Sequence, residues 1–232
     1  MQNKISKIKI ALIGYGKMGR EIDALCRESK NFEVVSISFK NKDKNKNKGL
    51  DLKGIVKADV AIDFTSKDAV LKNIRKVAKL GVNLVIGTTG WYDDIKEVEA
   101  LVRKYKIGLI YSPNFSIGAN IFFKMTAFSS KLFGKFSDYD VYGLEIHHKM
   151  KLDSPSGTAL KIASKINGLN FTSIRAGRNP GFHQVVFDSN ADGITLSHQA
   201  YNRTGFGKGA LLAASFIKNK KGVHSFEDMF KE

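Results

Sequence analysis

Short, nearly continuous apolar runs alternate with helix-period segments from Ile8 to about Phe115, the pattern of βαβ units in a parallel sheet covered on both faces. Five runs, at 8–13, 32–39, 60–64, 83–86 and 108–111, predict strands, each rich enough in apolar or β-branched residues to be buried on both sides. Between them lie helices. In 67–80, Val70, Leu71, Ile74, Val77 and Ala78 recur at helical spacing, and Gly81 stands where a helix ends. In 92–105, Ile95, Val98, Leu101 and Val102 repeat the pattern.

After Pro113 the rhythm changes. A helix over 117–133, stopped by Gly134, is followed by a strand over 139–150. The apolar runs 185–188 and 194–200 flank Ser189-Asn-Ala-Asp-Gly193, which predicts an antiparallel hairpin. A last helix over 209–218, with Leu211, Leu212, Ser215 and Phe216 on one side, is expected to pack back on the first domain. The fold class predicted is α/β: a Rossmann-type parallel sheet over 1–115, an inserted α+β domain over 116–206, and a C-terminal helical segment over 207–232.

The chain has 232 residues, enough for one large or two small domains, and 38 Lys and Arg against 22 Asp and Glu give a formal charge of +16. That charge favours anionic partners. The run Lys40-Asn-Lys-Asp-Lys-Asn-Lys-Asn-Lys48 has no apolar side chain and reads as a solvated loop. It lacks the interleaved aromatics on which single-stranded nucleic acid stacks, so a nucleic-acid partner is disfavoured. The single cysteine, Cys26, has no partner for a disulfide and no Cys/His neighbour at zinc spacing, so no metal site is indicated and a reducing cytoplasm fits. The apolar run at Ile8 is shorter than a signal-peptide core, and no stretch nears the ~20 apolar residues that cross a bilayer, so no membrane partner is expected.

Gly14-Tyr15-Gly16-Lys17-Met18-Gly19 fits G-x-G-x-x-G and opens a helix directly after the first predicted strand, the context that turns the motif into a dinucleotide-binding signal. The first glycine allows the tight turn, the second lets backbone approach a pyrophosphate, and the third lets helix pack on strand. An NAD-preferring site carries an acid at the end of the second strand. Here that strand ends Ser38-Phe39-Lys40, and Lys40, with Lys17 as a second candidate, suits the 2′-phosphate of NADPH over NADH; the alternative is that Lys40 only opens the lysine-rich loop. Gly87-Thr88-Thr89-Gly90 and Ser112-Pro113-Asn114-Phe115 follow the fourth and fifth strands and are expected to line the same crevice.

The densest chemistry is Glu145-Ile-His-His-Lys-Met-Lys-Leu-Asp-Ser-Pro-Ser-Gly-Thr-Ala159. As a strand its alternation puts His147, Lys149 and Lys151 on one face; as a helix, His147 and Lys151 coincide at i, i+4. Either way His147 and Lys151 converge, and both are natural groups for proton transfer. A helix follows over 159–167; its free N–H groups and the Thr158 hydroxyl, with His148 and Lys151 beside them, would make a carboxylate pocket, the alternative being a plain N-cap.

With these residues the chain resembles the 4-hydroxy-tetrahydrodipicolinate reductase (dihydrodipicolinate reductase) family along nearly its whole length. The resemblance rests on Gly14 to Gly19, Gly87 to Gly90, Ser112 to Ser116, Glu145 to Ala159, Ile174-Arg-Ala-Gly177 and Gly205-Phe-Gly-Lys-Gly-Ala210. It implies that His147 and Lys151 are the catalytic pair. It further implies that His148, Gly157 and Thr158 bind a cyclic imine dicarboxylate, and that Gly14 to Gly19, Gly87 to Thr89 and Ser112 to Phe115 hold the cofactor. The reaction implied is hydride transfer to C4 in the diaminopimelate route to lysine, by a homotetramer built on the second domain's sheet. The chain departs from the family at Phe39-Lys40, where an acid is frequent, in a glycine loop shorter than in some members, and at Phe182, where Glu is common before His183. The rivals are another Rossmann-type dehydrogenase, disfavoured in its thiol-dependent form because Cys26 lies in the first helix, and a basic nucleic-acid-binding module, which leaves the His/Lys cluster without a purpose.

Overall fold

The computed structural model describes residues 6–39 and 49–230, and the chain divides into two compact units, Met1–Ser116 with Thr204–Glu232, and Ile117–Arg203. The first unit runs β1 (Ile8–Ile13), α1 (Lys17–Glu28), β2 (Phe32–Ser38), α2 (Leu52–Ile55), β3 (Val60–Asp63), α3 (Lys67–Ala78), β4 (Asn83–Ile86), α4 (Ile95–Tyr105) and β5 (Gly108–Tyr111). The second holds α5 (Ile117–Phe133), β6 (Asp140–His147), α6 (Gly157–Ala163), β7 (Phe171–Arg175), β8 (Phe182–Asp188) and β9 (Gly193–Gln199). The chain then returns to the first unit through α7 (Thr204–Ile217) and β10 (Gly222–Ser225).

The first unit's strands form a six-stranded sheet in the order β10-β5-β4-β3-β1-β2, with every neighbouring pair parallel. β3 and β4 are buried along their whole length, which is why their sequences are unbroken rather than alternating. The chain leaves β1 for β2 on one side and crosses back to β3 on the other, so the order reverses between β1 and β3, the place where open α/β sheets take their ligands. All five predicted strands of this unit form.

Four features of the first unit differ from expectation. The C-terminal segment is not helical throughout: after α7 it adds β10 as an edge strand paired with β5. Gly222-Val-His-Ser225 is too short and too mixed to signal a strand, and pairing with β5 makes it one. α7 buries Gly207, Ala210, Leu211, Ala213, Ala214 and Ile217 and leaves Leu212 40% exposed, so of the expected apolar side Leu211 is buried, while the rest of the buried side is made of small residues and Ile217. Small residues let the helix lie close on α1 and the sheet; a Cβ on Gly209 would sit 1.7 Å from the Phe115 carbonyl oxygen. The stretch 92–105 starts as a 3-10 turn before α4, and the four-residue α2 carries no periodic signal of its own.

Asn83 ties the returning segment in place. Its buried side-chain amide donates to the carbonyls of Ile217 and Lys218 at the end of α7, at 2.8 and 2.7 Å, and its carbonyl accepts from Gly108 N–H at 2.7 Å.

The second unit is a four-stranded mixed sheet, β7-β6-β8-β9, with β6 and β7 parallel and the other pairs antiparallel. Phe122, Phe123, Ile162, Val185 and Phe187 build its core between the sheet and helices α5 and α6. The hairpin β8–β9 forms around the predicted turn. The predicted strand over 139–150 stops at His147, and β7 was not anticipated. α6 begins at Gly157 and ends at Ala163, earlier at both ends than the apolar spacing suggests, because Ser156 caps it.

Asn83→Ala removes all three bonds and strands buried donors and acceptors, which is expected to cost about 2–3 kcal/mol. Urea unfolding followed by the fluorescence of Trp91, 1% exposed in the same unit, measures it; an unchanged midpoint would show that the tie is not needed.

Candidate active site

In the first unit the glycine loop joins β1 to α1 at the switch point. Gly14 has φ +92°, and a Cβ there would lie 2.4 Å from the carbonyl oxygen of Phe64. On Gly19 it would meet the Gly14 carbonyl at 2.2 Å. At Gly16, by contrast, a Cβ would meet nothing within 4 Å, so open space faces the backbone that starts α1. Gly16 is the N-cap and has no side chain to satisfy the helix amides, and the first turn, Lys17-Met-Gly-Arg20, holds no acid. Unoccupied amides, a positive helix end and an open approach fit the pyrophosphate of a dinucleotide.

A cavity of about 560 Å³ at this place is lined by Gly14, Tyr15, Gly16, Arg20, Phe39 and Thr65, among others. Arg20 is a cation that the sequence reading missed. It stands one turn beyond Lys17 in α1, with its guanidinium carbon 5.8 Å from the Tyr15 ring centre. The Tyr15 hydroxyl donates to Asp23 at 2.5 Å, anchoring the loop to its own helix. Lys17 is exposed, Met18 is half-buried, and Lys40 lies outside the described residues.

The segments after β4 and β5 contribute unevenly. Gly87 is half-buried and Thr89 exposed, whereas Thr88 is buried, donating its hydroxyl to Asp63 at 3.0 Å and accepting Thr65 N–H at 2.8 Å. Asp63, fully buried, also accepts from the Thr65 hydroxyl and Asn73 and so clamps the loops after β3 and β4 together. Burial raises its pKa against these neutral donors. Ser112 and Asn114 close a local turn, Pro113 is exposed, and Phe115 is core, packed against Phe64 and Phe226. Cys26 is buried and its thiol is pushed up to about 11, so it is no nucleophile at neutral pH.

In the second unit the sheet register builds the site. Glu145 on β6 stands beside Ser173 of β7 and His183 of β8, and His147 beside Arg175 of β7. Neither predicted alternation reaches Lys151, because the strand ends at His147 and a turn follows, with Lys151 N–H bonded to the His148 carbonyl. Lys151 is nonetheless near enough to influence His147, and its ammonium pairs with Asp153 at 2.7 Å. His148 is half-buried; its backbone N–H donates to the Asn179 carbonyl.

Glu145 is the residue that sequence reasoning overlooked. It is fully buried, and its Oε1 accepts from Ser156 N–H at 2.9 Å, the Ser173 hydroxyl at 2.7 Å and the Arg175 guanidinium at 2.7 Å. Burial works to raise its pKa, but these donors outweigh it and hold the carboxyl at about 2. Burial lowers the pKa of His147, assisted by Lys151 and Arg175 and opposed by Glu145. Burial, with the charge of a protonated His147 adding to it, lowers His183 to about 4. At neutral pH the cluster is therefore one carboxylate and two neutral imidazoles. Glu145, His147 and His183 bring ligand atoms within 4.8 Å of one another, a grouping that no spacing along the chain reveals. The Arg175 guanidinium on the same carboxylate and the nearby Lys151 make the surroundings unfavourable for a dication.

The carboxylate pocket differs from expectation. Ser156, not Thr158, is the N-cap, its Oγ accepting from Ala159 N–H at 3.1 Å. The amides of Ser156 and Gly157 are taken by Glu145 and Asp153. The half-buried Thr158 and the exposed Gly157, with open space where a Cβ would lie, are what remain for a ligand.

A parallel α/β sheet with a glycine cradle at its switch point, followed by a unit that gathers a carboxylate, two imidazoles and a lysine, defines a two-domain oxidoreductase of Rossmann-like fold. Residues 8–115 match the family model for the dihydrodipicolinate reductase N-terminus, and residues 118–230 that for its C-terminus. The chain belongs to the dihydrodipicolinate reductase family. It is 37% identical to a 4-hydroxy-tetrahydrodipicolinate reductase of Christiangramia forsetii, over 97% of this chain and 98% of the relative. It is 32% identical to the enzyme of that name from Methanocaldococcus jannaschii, over 96% and 97%. Among solved structures it resembles a dipicolinate-bound dihydrodipicolinate reductase from Paenisporosarcina, with a TM-score of 0.83 at 26% identity, covering 97% of this chain and 100% of that one.

The acid response follows from these groups. His183 is neutral in the fold but takes a proton in the unfolded chain below about pH 6.5, so it removes stability as pH falls from there to about 4. The contribution of Glu145 is full above about pH 4.5 and is lost as pH falls toward about 2. The melting temperature is therefore expected to drop between pH 6.5 and 4, and His183→Gln to flatten that slope in a calorimetric pH series; an unchanged slope would reject a neutral, buried His183.

Proposed function

We propose that this chain reduces 4-hydroxy-tetrahydrodipicolinate to tetrahydrodipicolinate with NAD(P)H, NADPH preferred, in the cytoplasmic diaminopimelate route to lysine. The full-length likeness to enzymes of that name, spanning both units, carries the reading. Dipicolinate, held by the Paenisporosarcina protein, is a ring dicarboxylate like the proposed substrate. The charge of +16 suits an anionic substrate and cofactor alike.

The cofactor, when bound, supplies the hydride that goes to C4 of the ring. Gly14 to Gly19 hold its pyrophosphate, and Gly87 to Thr89 and Ser112 to Phe115 form the rest of its seat; the side chains of Thr88 and Phe115 serve this through the loop and core they stabilise. Arg20 joins Lys17 and Lys40 as a candidate for the 2′-phosphate that favours NADPH. His148, Gly157 and Thr158 bind the substrate carboxylates. Water leaves from the 4-hydroxyl position, and His147 with Lys151 protonates the enamine formed as hydride arrives, the cationic groups stabilising the negative charge that develops.

A coupled assay that generates the substrate from pyruvate and aspartate semialdehyde, following NADPH and NADH consumption in parallel, tests the reaction and the preference together. His147→Ala or Lys151→Ala is expected to depress kcat by two orders of magnitude or so, while Thr158→Val chiefly raises the substrate KM. Absence of synthase-dependent oxidation in the wild type would overturn the reading.

A homotetramer is part of the proposal. In the second unit α5 and α6 lie on one face of the sheet, and the register places Tyr142, Leu144, Ile146, Ile174, Phe182 and Val186 on the other, with Tyr142 49% and Ile174 40% exposed. An antiparallel sheet with one solvated face alternates apolar with polar residues, so this apolar group on β6, β7 and β8, beside the polar Gln184, Thr195, Ser197 and Gln199 of β8 and β9, points to self-association. Light scattering is expected to give four times the chain mass of 25.7 kDa, and Ile146→Asp to dissociate the assembly.

A further inference from the structure

The two oxygens of Glu145 have different surroundings. Oε1 is saturated by Ser156, Ser173 and Arg175. Oε2 has no hydrogen-bond partner among the described residues, and it lies 3.3 Å from His147 Nδ1 and 3.5 Å from His183 Nε2. A buried, ionised oxygen without a donor is costly, and this one cannot turn away to find one. Its other oxygen is pinned by β7 and the cap of α6, and its backbone by pairing on both sides.

We propose that Glu145 is the positioning residue for His147: its free oxygen holds the imidazole as the Nδ1–H tautomer, leaving Nε2, which faces Gly181, as the nitrogen that exchanges a proton with the ligand. This rests on the reading that His147 takes part in proton delivery. A Cβ at position 181 would come within 3.1 Å of that Nε2, so the glycine keeps the nitrogen's surroundings clear. When Nε2 takes up a proton the ring becomes an imidazolium, and Glu145 balances the charge; when the proton passes to the substrate the ring returns to the neutral Nδ1–H form. Glu145 itself stays ionised because Arg175 shares its Oε1. The groups that face His147 are Glu145 on its own strand, Arg175 from β7, His183 from β8, and Lys151 and Asp153 from the following loop. His183 is the poorer proton carrier, since its Nε2 already lies 3.1 Å from the Ser156 hydroxyl.

Glu145→Gln tests this directly. The amide keeps an oxygen for the three donors and places an NH2 group toward Nδ1, which favours the opposite tautomer. In ¹⁵N-histidine NMR the wild type is expected to show His147 protonated at Nδ1 and the variant at Nε2. Its kcat is expected to fall on the order of a hundredfold, the range of general acid–base catalysis, with substrate KM and NADPH affinity changed by less than about threefold. The limb of the kcat–pH profile that reports His147 is expected to move with it. Wild-type protonation at Nε2, an unchanged kcat in the variant, or a lost kcat with the tautomer unchanged would each overturn the proposal. The wild-type tautomer needs no variant, so a Gln protein that fails to fold leaves the proposal open to refutation. Because that spectrum needs no turnover, a wild type inactive in the coupled assay refutes the reductase reading separately.

Discussion

A carboxylate taken wholly out of water has to be met by donors, and in the second unit that requirement governs how the chain is arranged around Glu145. The donors come from two segments beyond its own strand: the cap of α6, through Ser156, and β7, through Ser173 and Arg175. Meeting them fixes where α6 begins, how β7 registers on β6, and how the Arg175 side chain bridges to the Asp153 carbonyl in the loop that carries Lys151. The core of Phe122, Ile162, Val185 and Phe187 supplies the apolar burial, but it is indifferent to which polar group faces which. The carboxylate makes the register specific.

The first unit has a matching device with the opposite pKa shift. Asp63 is also fully buried and also holds two loops, yet its donors, from Thr65, Asn73 and Thr88, are all neutral, and burial raises its pKa. Glu145 has a guanidinium among its donors and stays ionised. The donors account for the difference: neutral hydrogen bonds leave burial to raise the pKa of Asp63, whereas a guanidinium on the same oxygen keeps Glu145 charged. The first unit's loop depends on glycines rather than on side chains: Gly14 and Gly19 allow close packing, and Gly16 leaves open space beside the backbone that starts α1.

Much of this was readable along the chain, for reasons that differ by element. Strands buried on both faces must be continuously apolar, so β1 to β5 announce themselves, and the glycines of a βα turn sit at fixed short spacing. His147, Lys151 and Thr158 were visible because a dense local run of polar chemistry is rare. β10 and β7 were not, since each is a short stretch made into a strand by the neighbour it pairs with. The buried side of α7 holds Leu211 but not Leu212, and differs from the expected one because glycines and alanines, which carry little apolar signal, make most of the close contact.

The sequence by itself determined the local matters: the alternation that makes a parallel sheet, the glycine loop before α1, the positive charge, and the run that holds His147 and Lys151. These depend on residues within a few positions of each other. Only the tertiary structure decided that Glu145 is the centre of that run, that Arg175 and His183 join it from strands 30 and 38 residues away, that Arg20 rather than Lys17 lines the cavity beside the glycine loop, and that Ser156 rather than Thr158 caps α6. The physical reason is that pairing register and burial are properties of several segments at once, and a residue's charge state and hydrogen-bond partners follow from them.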